Sequence, residues 1–187
     1  NERRQSFAAF CREELIDCKD YWLHVAEIIN EFDMDFHYTG KQPIHQKFVK
    51  EFNIPKNKVR FLGWLDEPEK QMGSYNFILD GGLMGHGVMA SEAIATGVPI
   101  IFPKSYIGSN HSRIKKIYAE AREYFEETPE PEYYTARYFD AASLKNTIRH
   151  NCRSLETNAK LADFQRNLMS FRSDDSMKKF SDIIFDK

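Results

Sequence analysis

Apolar positions in the first hundred residues switch repeatedly between helix-like and strand-like spacing. After Asp20, which is suited to cap a helix, the apolar residues recur every three or four positions and predict an amphipathic helix. A short run at 34–38 predicts a strand, and the spacing over 43–52 predicts a second helix. The apolar face of the first helix consists of Trp22, Val25, Ile28, Ile29 and Phe32.

Three further apolar runs are predicted to form strands, at 59–62, 75–79 and 98–102. A short helix over 67–72, capped by Asp66, separates the first two of these strands. Strands that alternate with helices are typical of an α/β fold with a parallel sheet flanked by helices, here of the Rossmann-like kind.

The stretch from Asp80 to Pro103 carries the most specific chemistry. Its start, DGGLMGHG, follows a predicted strand, a helix is predicted over 88–96, and Gly97 ends that helix. Glycines let a backbone approach a phosphate closely, and the free N–H groups of a helix N-terminus attract anions. The residues at the point where such a contact would form are Gly85, His86, Gly87 and Val88.

Glu92 lies on the same predicted helix, five residues beyond Gly87, near enough to reach a ribose whose phosphates rest on the loop. The same carboxylate could also be an ordinary surface glutamate, because glycine-rich loops alone are weak signals. The pattern therefore leaves both a nucleotide site and a plain strand-to-helix turn open.

Three segments carry a resemblance to a known family. SEAIATGVP, residues 91–99, resembles the E-A-x-x-x-G-x-P signature of glycosyltransferases with two Rossmann-like domains, the GT-B fold. VRFLGWL, residues 59–65, and GSYNFILD, residues 73–80, are similar to the two strands that precede that signature. The spacing from Asp80 to Pro99 also resembles that of O-GlcNAc transferase and of bacterial cytoplasmic N-glycosyltransferases, with Glu92 in place of their Asp.

The resemblance implies that the chain is the C-terminal half of a GT-B glycosyltransferase, which binds a nucleotide-sugar donor, with UDP favoured, for transfer to a saccharide or protein acceptor. It implies a donor site at Gly85, His86, Gly87, Val88 and Glu92, with the base near Trp64 and Leu65 and further donor contacts at Lys104 and Asn110. Trp64 could equally be a buried packing residue, and Lys104 a solvated surface lysine. The acceptor-activating base stays unassigned, since in this fold it commonly comes from the N-terminal domain.

Composition excludes several other classes of protein. A length of 187 residues suits one domain, and a net charge of −2 gives no general attraction to nucleic acid or anionic membrane. No apolar run is long enough for a membrane span. The three cysteines lack a Cys-x-x-Cys motif and fit a reducing compartment, so we expect the cytoplasm, with attachment at the membrane periphery left open. The six histidines show no metal-like spacing, and we expect no cofactor besides the nucleotide-sugar substrate.

The two ends of the chain are interpreted as parts of a larger enzyme. The chain begins without a Met, so we expect that part of the protein is missing upstream. The resemblance implies that residues 1–187 form a single donor-binding domain and that the missing part is an N-terminal Rossmann-like domain. Within residues 1–19, Phe7, Phe10 and Leu15 suggest a helix, although the segment could instead cross a domain boundary. Residues 172–187 are predicted to form a helix that packs on the missing domain.

Two other functions stay open at this point. The same fold carries sugar-nucleotide 2-epimerases, which use the same cleft for isomerisation, and a Rossmann-like domain can also serve only for interaction. If the chain is a donor-binding half, we expect weak nucleotide binding and little or no transfer activity from it alone.

Overall fold

The computed structural model describes residues 5–11, 16–79, 92–93, 95–101, 144–146, 148–149, 159–160 and 162–163. The described elements are, in chain order, β1 (Ser6–Ala9), α1 (Lys19–Phe32), β2 (Asp35–Thr39), α2 (His45–Glu51), β3 (Val59–Gly63), α3 (Glu69–Met72), β4 (Phe77–Leu79) and β5 (Ile100–Ile101). A 3-10 turn, Lys56–Lys58, precedes β3, and further helical residues lie before Thr96 and between 144 and 163.

The five strands form one parallel sheet in the order β3-β2-β1-β4-β5. Phe7 in β1 pairs with Phe36 of β2 on one side and with Phe77 of β4 on the other. The predicted α/β, Rossmann-like fold is confirmed. The helix suggested for Phe7 and Phe10 is wrong, because Ser6–Ala9 is the central strand; Leu15 lies outside the described residues.

Successive side chains of each strand point to opposite faces of the sheet and enter two separate cores. Phe7 and Ala9 join the core that α1 and α2 cover. Ala8 and Phe10 join the core on the other face, with Met72 of α3. Because β1 is buried on both faces, its sequence shows no alternation of polar and apolar residues.

Helix α1 supplies the largest side chains of the first core. All five residues of the predicted apolar stripe are buried. Trp22 is fully buried, stacks on Phe48 of α2 with centroids 5.1 Å apart, and donates its indole N–H to the Ile16 carbonyl at 2.9 Å. The predicted cap is corrected: Cys18 is the N-cap, and Asp20 lies in the first turn, where its charge favours the helix dipole.

The end of the helix that carries Glu92 confirms the predicted stop at Gly97. Gly97 has φ +80, and the Val98 N–H bonds to the Ala93 carbonyl at 3.1 Å, the hydrogen bond of a Schellman motif. Ala93 and Val98 are both buried in the second core, so the turn is also held by packing.

Two other predicted elements, the helix over 67–72 and the helix at 172–187, need comment. Helix α3 begins at Glu69 with Pro68 as its N-cap, so Asp66 does not cap it. Further along the chain, Leu144 and Ile148 are buried in the first core, against α1. The predicted helix at residues 172–187 lies outside the described residues, as does the whole stretch from 80 to 91. In the part of the chain that the structure describes, no helix has the length and apolar content needed to span a membrane.

Candidate functional site

The carboxyl ends of all five strands meet at one edge of the sheet, because the strands are parallel. The strand order reverses between β1 and β4: β2 and β3 lie on one side of β1, and β4 and β5 on the other. In open α/β sheets such a reversal opens a crevice outside the carboxyl ends, and ligands bind there. The crevice predicted by this topology lies between the ends of β1 and β4.

The segments that leave this edge are joined to one another by hydrogen bonds. The Thr39 hydroxyl at the end of β2 donates to the Cys11 carbonyl after β1, at 3.3 Å. The Gly40 N–H donates to the Gly63 carbonyl at the end of β3, at 3.1 Å. The segments at the carboxyl ends of β1, β2 and β3 are therefore linked by hydrogen bonds to polar backbone groups. We call these linked segments, at Cys11, Thr39–Gly40 and Gly63, the rim.

A bulge at the end of β3 determines where Trp64 lies. The pairing of β2 with β3 shifts register between Tyr38 and Thr39, so that Thr39 pairs with Gly63. Gly63 has φ +76, which turns the chain out of the sheet. Trp64 follows and is 62% exposed, so the interpretation of Trp64 as a buried packing residue is wrong. Leu65 is half-buried and packs against the second core.

The end of β4 is held in place by a side chain of α1. The buried Tyr21 hydroxyl donates to the Leu79 carbonyl at 3.0 Å. Leu79 is the last residue of β4, and the glycine-rich segment follows it directly. Tyr21 therefore fixes the point from which the predicted phosphate-binding loop departs.

Six of the nine predicted site residues lie outside the described residues: Gly85, His86, Gly87, Val88, Lys104 and Asn110. Of the other three, Glu92 is half-buried on the helical segment that ends at Gly97. Trp64 and Leu65 follow β3, which is three strand positions from β4. With strands about 4.8 Å apart, the ends of β3 and β4 are separated by about 14 Å, a span comparable with an extended nucleoside diphosphate.

Titratable groups with a shifted pKa include Cys18, which follows the carboxyl end of β1, and Tyr75, which precedes the amino end of β4. Cys11 and Cys18 are both free thiols, and burial raises the pKa of the Cys18 thiol, so Cys18 is an unreactive core residue. Burial also raises the pKa of Tyr75, although the charge of Arg60 opposes that rise, and its hydroxyl bonds to His37 Nδ1 at 2.9 Å. Among the described residues, no group of three potential metal ligands comes together.

Sequence reasoning missed the residues that build the rim. Cys11, Thr39 and Tyr21 bind no predicted ligand but position the strand ends around the crevice. Cys11 and Thr39 could have been found from one signal, their place at the carboxyl ends of two adjacent strands, had β1 been recognised. Tyr21 gave no signal, because its contact with Leu79 spans 58 positions in the sequence.

Comparison with known proteins supports the fold strongly. A mutant of the O-GlcNAc transferase of Thermobaculum terrenum matches 89% of this chain and 32% of its own, with a TM-score of 0.61 and 15% identity. The C-terminal domain of the group 1 glycosyl transferase LpcC from Francisella tularensis matches 90% of this chain and 86% of its own, with a TM-score of 0.60 and 12% identity. HepE of Anabaena, in complex with UDP and glucose, matches 91% of this chain and 44% of its own, with a TM-score of 0.58 and 17% identity.

These likenesses define the fold of the chain. It is the Rossmann-like α/β fold found in the GT-B glycosyltransferases, as the resemblance of its motifs implied. The chain spans about a third of the length of the O-GlcNAc transferase and less than half of HepE. No protein-family model and no curated protein sequence matches the chain.

Proposed function

We propose that the chain is the donor-binding half of a glycosyltransferase and binds a nucleotide-diphosphate sugar, with UDP as the nucleotide. The diphosphate rests at the start of the helix after β4, and the base extends along the carboxyl edge toward Trp64 and Leu65. A carbohydrate or protein acceptor and an N-terminal Rossmann-like domain complete the enzyme.

The observation that carries the proposal is the reversal of strand order between β1 and β4. The glycine-rich segment follows β4 and so begins at the predicted crevice. Its sequence combines glycines with a following helix, the combination that suits phosphate binding. The fold shared with GT-B glycosyltransferases, of which HepE was solved with UDP, supports the choice of ligand.

The chain's own residues supply two of the three requirements of glycosyl transfer. Backbone N–H groups of Gly85, Gly87 and Val88 stabilise the charge that develops on the leaving diphosphate. Glu92 accepts hydrogen bonds from the ribose hydroxyls and holds the donor in position. The third requirement, a base that activates the acceptor, comes from the N-terminal half, since no residue of this chain is assigned to it.

The experiment that tests this proposal is calorimetric titration of UDP into the chain and into Glu92→Ala. Loss of hydrogen bonds to a charged carboxylate should cost about 1.5–3 kcal/mol, which weakens UDP binding by roughly tenfold or more. The matched control is Glu51→Ala, since Glu51 pairs with Lys19 on the face covered by α1 and α2. That variant should bind UDP like the wild type.

Two results would count against the proposal. Equal affinity of Glu92→Ala and the wild type removes Glu92 from the site. No heat and no change in melting temperature with UDP, in the wild type, removes nucleotide binding and favours a domain used only for interaction.

A further inference from the structure

A groove runs along one side of α2, away from the proposed donor site. Its volume is about 640 Å³, and its lining includes His45, Val49, Lys50, Ile54 and Lys56. Val49 and Ile54 are buried in the first core and form a fixed base. Volumes of this size are usual for small-molecule sites.

The groove is separate from the crevice at the carboxyl edge. His45 begins α2, which follows the carboxyl end of β2, and Lys56 opens the 3-10 turn that leads into the amino end of β3. The groove therefore extends down the side of the domain toward the amino edge of the sheet, whereas the crevice lies outside the ends of β1 and β4.

Two lysines at this groove differ from most other lysines of the described residues. Lys19 pairs with Glu51, Lys47 with Asp17, and Lys70 with Glu67. Lys50 and Lys56 make no ion pair with any residue that the structure describes, and both side chains are exposed. Their charges are thus available to an anion in the same groove.

His45 adds an oriented hydrogen-bond donor. The Tyr38 hydroxyl oxygen accepts the N–H groups of Ile44 at 2.9 Å and of His45 at 3.2 Å. With both acceptor positions filled, the hydroxyl must donate its own proton to His45 Nδ1, 2.7 Å away. Neutral His45 therefore carries its proton on Nε2. Since His45 lines the groove, this N–H group can donate a hydrogen bond to a ligand bound there.

We propose that this groove is a second anion site, which binds a small phosphate-bearing ligand. Lys50 and Lys56 supply the positive charge, and the Nε2–H group of His45 supplies a directed hydrogen bond. The site stands independently of the proposed donor function, since the groove leads from the start of α2 toward the amino end of β3 and not toward the ends of β1 and β4.

The test is titration of inorganic pyrophosphate into the ¹⁵N-labelled chain, followed by NMR. The amides of α2 and of the turn before β3 should shift saturably. The double variant Lys50→Gln, Lys56→Gln should weaken binding about tenfold, from the modest value of each exposed charge contact. His45→Asn, which keeps an acceptor for the Tyr38 hydroxyl but lacks the Nε2–H donor, should weaken it too.

The matched control removes the same charge elsewhere: Lys47→Gln, Lys70→Gln. Lys47 lies on α2 itself, but it pairs with Asp17 and does not line the groove. This control should bind pyrophosphate like the wild type. All four lysines are exposed, so the variants should keep the melting temperature of the wild type.

Three outcomes would overturn the proposal. The first is the absence of saturable shifts at α2 and the following turn. The second is an equal loss of affinity in both double variants, which would show a general effect of charge. The third is a set of shifts confined to the carboxyl edge, at Cys11 and Gly40, which would place the bound anion in the donor site instead.

Discussion

The contact between Tyr38 and His45 is the residue-level feature with the clearest physical consequence. Burial lowers the pKa of His45 below its ordinary value of 6.5. The hydrogen bond acts in the same direction, because the Nδ1 atom that accepts the Tyr38 proton cannot be protonated without breaking it. The folded chain therefore favours neutral His45.

This pKa shift predicts a pH-dependent stability. Below pH 6.5 the unfolded chain binds a proton at His45 more readily than the folded chain does, so the free energy of unfolding falls as the pH drops. Above that pH the contribution is complete and constant. Urea unfolding between pH 5 and pH 8 should show a smaller decline in His45→Asn, which cannot titrate, than in the wild type. Parallel declines in the two proteins would contradict the assignment.

Trp64 is a residue whose position, but not its exposure, could be predicted from the sequence. Its position after a strand correctly placed it at the carboxyl edge, but an apolar side chain there is compatible with burial or exposure. Its exposure depends on the bulge between β2 and β3 and on the positive φ of Gly63, both of which need the paired strand to be known. From the sequence, Trp64 could be assigned to the end of a strand, but the exposure of its side chain could not be predicted.

At the scale of elements, two glycines form a matched pair that tests the turn after β3. An added Cβ at Gly63 or at Gly73 would meet no atom within 4 Å. Gly63 has φ +76, whereas Gly73 has φ −60. Any difference between their alanine variants therefore comes from backbone conformation and not from crowding.

Gly63→Ala should lower the free energy of unfolding by about 1–2 kcal/mol, the usual cost of a left-handed conformation for a residue with a Cβ. Gly73→Ala should raise it by about 0.4–1 kcal/mol, since it restricts only the unfolded chain. Urea unfolding of both variants measures these values. If the two substitutions change stability equally, the turn that directs Trp64 and Leu65 to the rim is described wrongly.

The elements also show where periodicity succeeds and fails. The spacing of apolar residues correctly predicted α1, α2 and β3. Each of these elements has either one buried and one exposed face or clear boundaries in the sequence. It missed β1, whose residues Phe7, Ala8 and Ala9 are buried on both faces and follow no period. The central strand of a parallel sheet is for this reason the one that a local pattern identifies least well.

At the scale of the whole molecule, the parallel sheet places the carboxyl ends of its five described strands at one edge. The sequence predicted the parallel α/β architecture, since helices alternate with strands, but the strand order could not be read from it. Once β1 is known to lie at the centre, the reversal between β1 and β4 defines the crevice. Under the proposed function the chain is only the donor-binding half of the enzyme, and we then expect weak nucleotide binding and little transfer activity from it alone.

The most direct test of the account is NMR mapping of UDP on the ¹⁵N-labelled chain. If UDP binds at the reversal between β1 and β4, amide resonances should shift at the carboxyl edge, at Cys11, Gly40, Trp64 and Leu65. The amide resonances of Asp35 and Asn76, at the amino edge, should not shift. Shifts confined to the amino edge, or no shifts at any concentration, would contradict a nucleotide site at the reversal between β1 and β4.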